Sequence, residues 1–340
     1  ILAVVLLGSL LHAFDARAGR GVAAGTGRRW LARALAGWAA AVGGYLLVMG
    51  PWFARNLALI GAPLSPAGGK TLWLRSYDDL YCGGCELSLR SYLAWGWEGI
   101  LRSKLWALHV NLQRFLAEDC LVFLLPLVLV GFYRLRRQRT VMLTAVYLAA
   151  AFAVHTFAFT FPGPRGGFFH ASAAALPVLF AAAAEGLDAS VAWLGRYRRW
   201  NRQQARCVFS AAAVLGAVAL SGYAAWGRWR AWWNADEPYV QLGGWLAQRG
   251  EGGVTVMVAN PPAFWYYTRL PAISVPNNGP EEVVTIARRY GVRYVVLDAN
   301  RPQPLAGLYA GEVTHPDLLV LTTGIDRLRV YRVAPQRNKE

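Results

Sequence analysis

Three short polar groups interrupt the long apolar runs of this sequence, and their side chains are the ones best suited to chemistry. They are Arg55 with Asn56, then Lys70 with Tyr77, Asp78 and Asp79, and finally Arg165 with His170. Guanidinium and ammonium groups are suited to bind a phosphate. In the third group, two glycines let the backbone approach a ligand closely, and a helix starting near Phe168 would present its N-terminal amides to an anion. These residue types therefore predict an anion site.

Each group also has a structural interpretation that the sequence leaves open. Arg55 could extend to lipid headgroups instead of a ligand. The adjacent carboxylates of Asp78 and Asp79 could bind a metal or act as a base, but consecutive side chains do not usually face the same way. They could equally cap a helix or pair with Arg75. The arginine and histidine of the third group could be a turn residue and a helix-packing residue. A divalent metal remains open, because the acidic residues form no recognisable ligand set.

Cys82 and Cys85 are separated by two glycines and have the spacing of a redox motif or of half a zinc site. A zinc site would need two more ligands, and the sequence has no second cysteine pair or histidine pair to supply them. A local disulfide outside the cytoplasm and a pair without any role both remain open.

The composition indicates the environment of these groups. Of the 340 residues, 56% are hydrophobic and only 16% are charged, yet the formal net charge is +16. An apolar chain with excess arginine is typical of a membrane protein whose cytoplasmic loops carry the positive charge. Nucleic acid is not a predicted partner, because the arginines lie between long apolar runs and not on one soluble face.

Six apolar runs are candidate membrane-spanning helices, since about 20 apolar residues cross a bilayer. They are Ile1–Phe14, Ala34–Phe53, Cys120–Tyr133, Val141–Phe161, Phe168–Leu187 and Cys207–Trp226. The first run opens the chain without a preceding basic stretch, so we expect it to be the end of a helix that begins upstream. The Cys120 run is short, and we expect its helix to begin earlier, continuing one that starts near Leu101. Pro51 should end or kink the second span.

Arginine clusters in alternate loops predict the orientation of these spans. The clusters are Arg17, Arg20, Arg28, Arg29 and Arg33, then Arg134, Arg136, Arg137 and Arg139, then Arg196, Arg198, Arg199, Arg202 and Arg206. The positive-inside rule places all three in the cytoplasm. The loop over 54–118, the turn over 162–167 and the C-terminal segment would then face outward. Within the long loop, the tryptophans and leucines of Ser91–Phe115 predict an amphipathic helix at the membrane interface.

The length of the apolar runs changes near Gly227, after which the runs are as short as β-strands. Strands are predicted at Val254–Ala259, Ala272–Val275, Tyr294–Leu297, Leu318–Thr322 and Leu328–Val333, with a helix at Glu281–Tyr290 and a hairpin around Gly324. The predicted architecture is therefore an α-helical polytopic membrane bundle over 1–226, followed by a small extracytoplasmic α/β domain over 227–340.

The polar groups, in this order, resemble those of a known family. PWFARNLALIGAPLSP, GGKTLWLRSYDDLY, RGGFFHASAAALP and the later ANPPAFWYYTRLPAISVPN and ARRYGVRYVVLD are similar to segments of bacterial membrane glycosyltransferases of the GT-C fold, the family 39 and arabinosyl-transferase-like group. The Cys-Gly-Gly-Cys segment is not part of that pattern.

This resemblance implies an enzyme that moves a sugar from a polyprenyl-phosphate carrier to a lipid, glycan or protein acceptor on the outer side of the membrane. It also implies a catalytic aspartate in the first outer loop, which we expect to lie upstream of residue 1. Arg55, Lys70, Arg165 and His170 would bind the phosphate of the carrier. Two alternatives remain: a transporter or flippase of lipid-linked sugars, which often shows internal repeats, and a non-catalytic membrane scaffold.

Overall fold

The computed structural model describes residues 27–198, 201–325 and 327–335. The first predicted span, Ile1–Phe14, and the arginines at 17, 20 and 199 lie outside these residues. The described chain divides into two compact units. The helical unit contains the chain up to Arg75 and Leu87–Val218, and the sheet unit contains Ser76–Glu86 and the chain from Ala219 onward. The predicted domain boundary, between residues 226 and 227, falls inside one continuous helix, Arg202–Gln248.

Over the residues that the structure describes, the helical unit is built from nine α-helices and several short turns of other helix types. The α-helices are α1 Gly27–Ile60, α2 Pro66–Lys70, α3 Leu89–Ala94, α4 Trp97–Arg114, α5 Leu125–Leu135, α6 Arg139–Ala153, α7 Phe168–Ser172, α8 Leu176–Arg198 and α9 Arg202–Gln248, the last of which ends in the sheet unit. The π-helical turns are Phe115–Asp119, Val154–Ala158 and Gly163–Gly167. Turns of 3-10 helix occur at Thr71–Trp73 and Ala173–Ala175 here, and at Asp78–Tyr81 in the sheet unit.

Four helical stretches of the described residues are long and apolar enough to cross a membrane. They are Leu35–Ile60, Arg139–Ala158, Gly163–Arg198 and Arg202–Gln248. Each overlaps a predicted span. The helix α1 runs through Pro51 to Ile60, so the proline does not end it. Neighbouring groups can satisfy the carbonyl that a proline frees inside a membrane helix.

The predicted continuation of one helix from Leu101 through the Cys120 span is wrong. The chain breaks after the π-helical turn at Asp119, and α5 begins only at Leu125. Leu121 and Val122 have positive φ angles of 46° and 58°, a conformation that is unfavourable for residues with a Cβ and most of all for the β-branched valine. The resulting helix has 11 residues.

The predicted interfacial helix over Ser91–Phe115 is two helices in the structure. Ser88 caps α3 by accepting a hydrogen bond from the Ser91 amide, and Gly96 separates α3 from α4 with a φ of 91°. Only a residue without a Cβ adopts that angle readily, so the glycine positions the break.

Close packing of α5 on α8 forms the core of the helical unit. Leu124, Val128, Leu179 and Ala183 are buried between them. Gly131 and Gly186 lie at the crossing, where a Cβ on Gly186 would be 1.9 Å from the carbonyl oxygen of Leu127. Small residues that let two backbones approach are typical of helix pairs in membranes.

A five-stranded mixed sheet with helices on both faces forms the sheet unit. Its strands are β1 Thr255–Val258, β2 Ala272–Ser274, β3 Val292–Leu297, β4 Leu318–Leu321 and β5 Arg329–Val333, in the order β2-β1-β3-β5-β4. Its own helices are α10 Pro261–Thr268, α11 Pro280–Arg289 and α12 Ala306–Ala310. The strand β1 is parallel to β2 and β3, whereas β5 is antiparallel to β3 and β4. The predicted strands, helix and terminal hairpin agree with this arrangement.

Alternation along the strands divides the apolar side chains of the sheet unit into two cores. Met257, Val295 and Tyr331 face α11 and α12. Val258, Val296 and Val330 face the end of α9 and α10. The helix α11 has proline and two glutamates in its first turn and two arginines in its last, which favours a helix between those ends.

Candidate functional site

The first predicted group lies on α1 and not in the loop that follows it. The side chain of Arg55 is exposed, whereas Asn56 is only 6% exposed. The Asn56 Nδ2 donates a hydrogen bond of 3.1 Å to the carbonyl oxygen of Pro63. The asparagine therefore fastens the turn after α1 to the helix, and its amide is already engaged within the protein.

The second predicted group is divided between the two units. Lys70 is exposed at the end of α2 in the helical unit, while Tyr77, Asp78 and Asp79 belong to the sheet unit. The Asp79 carboxylate accepts hydrogen bonds of 2.9 Å from both the backbone amide and the hydroxyl of Ser76. These bonds tie Ser76 to the short 3-10 turn Asp78–Tyr81. Ligand binding by these side chains remains a prediction.

The third predicted group lies at the start of the apolar stretch Gly163–Arg198. Arg165 is in the π-helical turn Gly163–Gly167, His170 is on α7, and both side chains are exposed. A Cβ on Gly163 would lie 2.0 Å from the carbonyl oxygen of His155, and a Cβ on Gly167 would lie 2.9 Å from its Nδ1. These two glycines therefore bring the backbone against His155, and not against a ligand as predicted for the glycines of this turn. Gly166, with a φ of 127°, reverses the chain between them.

The helix α4 turns its polar and small side chains inward, which the sequence did not reveal. Its buried residues are Ser103, Ala107 and Asn111. Its exposed side chains include four large apolar ones, Leu101, Leu105, Trp106 and Leu112. The helix α4 therefore buries small and polar side chains and leaves several large apolar ones exposed.

A connected set of polar side chains lies behind this face of α4, and we call it the polar cluster: Lys104, Asn111, His155, Thr156 and Thr160. The Lys104 Nζ donates to the Thr160 hydroxyl, which in turn donates to the carbonyl oxygen of Thr156 at 3.2 Å. The Asn111 Nδ2 donates to the Thr156 hydroxyl at 3.0 Å and to the His155 carbonyl at 3.3 Å. The cluster thus joins α4 to the end of an apolar helix.

Lys104 is a half-buried cation that the described structure leaves without an acidic partner. Its ammonium lies 5.5 Å from the centre of the Tyr92 ring, a distance that allows a cation–π interaction. Among the ion pairs formed by the described residues, none involves Lys104. Three buried polar atoms also lack a hydrogen-bond partner within the described structure. They are Tyr92 Oη, on the ring beside Lys104, and Asn111 Oδ1 and His155 Nδ1 of the polar cluster.

A second buried polar contact follows α4. Asp119 is 2% exposed and its Oδ1 accepts a hydrogen bond of 2.9 Å from the hydroxyl of Ser172. Burial raises the pKa of this carboxyl from 3.8 to about 6; the Ser172 hydrogen bond opposes the shift, and the nearby Glu118 adds to it. A carboxyl with such a pKa changes its charge near neutral pH.

An apolar groove begins two residues beyond Asp119. It is lined by side chains of α5, α8 and α9, including Leu124, Phe180 and Val214, and by Leu121. The positive φ of Leu121 is an unfavourable conformation of the kind that concentrates at functional sites. The π-helical turns at 115–119, 154–158 and 163–167 are likewise frequent at such sites.

Comparison with known proteins identifies no relative: no family model matches the chain, and neither a curated protein nor a solved structure is significantly similar to it. Within the described residues, no group of three or more histidine, cysteine, aspartate or glutamate side chains is arranged to hold a metal ion. The fold therefore defines a helical protein with four helices that could cross a membrane, followed by a small α/β domain.

Proposed function

We propose that this chain belongs to a membrane glycosyltransferase that moves a sugar from a polyprenyl-phosphate carrier to an acceptor on the outer side of the membrane. The observation that carries the proposal is Lys104 of α4, a half-buried cation without an acidic partner among the described residues. Its Nζ donates to the hydroxyl of Thr160, which lies just beyond the apolar helix Arg139–Ala158. A charged side chain in or beside a membrane bundle is costly and usually functional. An anion from the substrate would compensate its charge.

The carrier phosphate is the anion that this proposal assigns to Lys104. When the sugar leaves, negative charge develops on that phosphate, and a fixed cation lowers the energy of this step. Arg165, in the turn Gly163–Gly167, and His170, on α7, follow the polar cluster in sequence, and we propose that they contact the same phosphate. The order of the motifs quoted above supports the choice of a lipid-linked sugar over a soluble one.

The apolar groove suits the other half of such a carrier. Its walls are leucine, alanine, valine and phenylalanine, with Ser210 as the one polar member. A prenyl chain buried there would gain about 25 cal/mol for each Å² of apolar surface removed from water, but much less on transfer from lipid. We therefore expect the groove to position the carrier and to contribute little to its affinity.

Sugar transfer by the full-length protein in liposomes that contain a labelled polyprenyl-phosphate sugar tests the proposal. Lys104→Met should lower kcat/KM at least tenfold, and Arg165→Ala and Lys70→Ala should each lower it as well. Arg102→Met is the matched control, because it removes a cation from the same helix where that cation is exposed and paired with Glu98 at 2.7 Å. Full activity in Lys104→Met would overturn the assignment. Movement of the carrier across the bilayer without sugar transfer would favour a transporter.

The proposed orientation has a separate test. Single cysteines introduced by Ser65→Cys and Arg137→Cys, in a background where the exposed Cys207 is replaced by serine, should react with a membrane-impermeant maleimide from opposite sides. Reaction of both from the same side would contradict the outward placement of the 54–118 loop.

A further inference from the structure

Cys82 and Cys85 form a disulfide, and this bond closes a small hairpin that docks on the sheet unit. The two cysteines are three residues apart in sequence, with their Cα atoms 5.6 Å apart. Gly83 and Gly84 occupy the tip, and Gly84 has a φ of 79°. The hairpin lies within Ser76–Glu86, the segment that belongs to the sheet unit although the chain on either side of it belongs to the helical unit.

The side chain of Asn278 forms hydrogen bonds with both the backbone amide and the backbone carbonyl of Gly83, at the tip of the hairpin. Its Oδ1 accepts a hydrogen bond of 2.7 Å from the Gly83 amide, and its Nδ2 donates one of 3.0 Å to the Gly83 carbonyl. The neighbouring Asn277 amide donates to the Tyr81 carbonyl at 2.9 Å. A Cβ on Gly83 would lie 3.1 Å from Cδ1 of Ile286, so the tip is also in close apolar contact with α11.

The bond contributes little to the global fold by comparison with its local effect. A disulfide stabilises a protein mainly by restricting the unfolded chain, and that restriction is smallest for a very short loop. Here the closed loop contains only the two glycines between the cysteines. The bond does, however, close the turn through Gly83 and Gly84, and the amide and carbonyl of Gly83 both form hydrogen bonds with Asn278. The disulfide therefore controls a shape that one side chain recognises.

The two sulfur atoms have different surroundings. Cys85 is exposed, whereas Cys82 is half-buried and its Sγ lies 3.8 Å from Nδ2 of Asn278. An external thiolate can therefore reach Cys85, and the Cys82 sulfur can leave beside an N–H donor. In thiol–disulfide exchange, a thiolate attacks one sulfur of the disulfide and the other sulfur leaves.

We propose that Cys82–Cys85 is a reversible thiol–disulfide site for an external dithiol, and that its reduction releases the hairpin from Asn278. The dithiol attacks Sγ of Cys85, the S–S bond breaks, and Cys82 leaves as a thiolate that takes up a proton from water. The second thiol of the reagent then attacks the mixed disulfide, so that Cys85 is released as a thiol and the reagent becomes a disulfide. This proposal is independent of sugar transfer.

Hydrogen exchange of the whole chain in detergent micelles tests the proposal, with dithiothreitol as the dithiol. Alkylation and mass measurement first determine whether Cys82 and Cys85 are reduced in the folded protein. Reduction should then speed exchange of the amides of residues 76–86 and of Asn277 at least tenfold, with strands β1 and β3 unchanged. Reoxidation should restore the slow exchange.

Two variants separate the effect of the Asn278 hydrogen bonds from the effect of the disulfide bond. Asn278→Ala should speed exchange in residues 76–86 by a similar factor while the disulfide stays intact, whereas Asn300→Ala, an exposed asparagine of the same unit, should not. The double change of Cys82 and Cys85 to serine should behave as the reduced protein; if it does not fold, the Asn278 variant still decides. A disulfide that resists the dithiol in the folded protein would overturn the proposal, as would reduction that leaves the exchange unchanged.

Discussion

Substitution of Gly186 by alanine gives the sharpest test of the helical packing. The side chain of alanine would place its Cβ 1.9 Å from the Leu127 carbonyl oxygen, 2.7 Å from the carbonyl carbon and 3.0 Å from the Gly131 nitrogen. All three atoms belong to the backbone of α5, so no side-chain rotation can relieve the contact. The two helices would have to separate locally by about 1.5 Å to restore ordinary van der Waals distance.

The expected effect is the difference between two opposing terms. Alanine favours a helix over glycine by about 1 kcal/mol. Forcing an extra methyl group into a packed crossing costs roughly 1–3 kcal/mol, and more where the contact is with backbone. We therefore expect Gly186→Ala to lower the free energy of unfolding by about 2 kcal/mol. Gly131→Ala should do the same, since its Cβ would lie 1.8 Å from the Ala182 carbonyl oxygen.

Unfolding in detergent by a graded denaturing surfactant, followed by far-UV circular dichroism, measures this effect. Gly222→Ala on α9 is the matched control, because a Cβ there meets nothing within 4 Å. It should leave stability unchanged or raise it by up to about 1 kcal/mol. If Gly186→Ala is as stable as Gly222→Ala, the helices α5 and α8 do not cross at this distance and the packing described here is wrong.

Two further predictions concern the buried polar groups. Because folding raises the pKa of the Asp119 carboxyl from 3.8 to about 6, its protonated form stabilises the folded protein below pH 3.8, and this contribution is lost as pH rises through 6. The free energy of unfolding should fall by about 2 kcal/mol between pH 4 and 7, and Asp119→Asn should flatten that slope. Asn111→Ala leaves the Thr156 hydroxyl and His155 carbonyl without a donor and should cost about 1–3 kcal/mol in the same unfolding assay, whereas the exposed Gln113→Ala should cost almost nothing.

The strands of the sheet unit could be predicted from sequence because their signal is local. Apolar runs such as Leu318–Thr322 and Leu328–Val333 are bounded by turn residues, and β4 and β5 begin and end within one residue of them. The long apolar helices could be predicted for the same reason. Length and composition alone identify them, and neither depends on distant parts of the chain.

The break before α5 could not be predicted in this way. Leu121 and Val122 stand in an apolar run that favours a continuous helix, yet both adopt positive φ. Only the surrounding structure can impose such a conformation on these residue types. The contact between Gly83 and Asn278 could not be predicted either, since the two residues are separated by 195 positions and Asn278 belongs to no recognisable motif.

The orientation of α4 shows a different limit. Its spacing predicts an amphipathic helix, but the pattern alone does not say which face is buried. In water the leucines would face the core; beside lipid they can face outward, and Ser103, Lys104 and Asn111 then face the protein. Lys104 and Asn111 are seven residues apart, a spacing that places them on one face of the helix.

For Lys104, a structural role and a functional role of the polar cluster predict opposite effects of substitution on stability. If its role is structural, removing the ammonium breaks the contact with the Thr160 hydroxyl and the Tyr92 ring, and stability should fall. If its role is to meet a substrate anion, the cation is costly in the absence of that anion, and an apolar replacement should keep or raise stability while activity is lost. Stability and transfer measured on the same Lys104→Met preparation therefore separate a packing residue from a binding residue, because only the binding role lets the two quantities change in opposite directions.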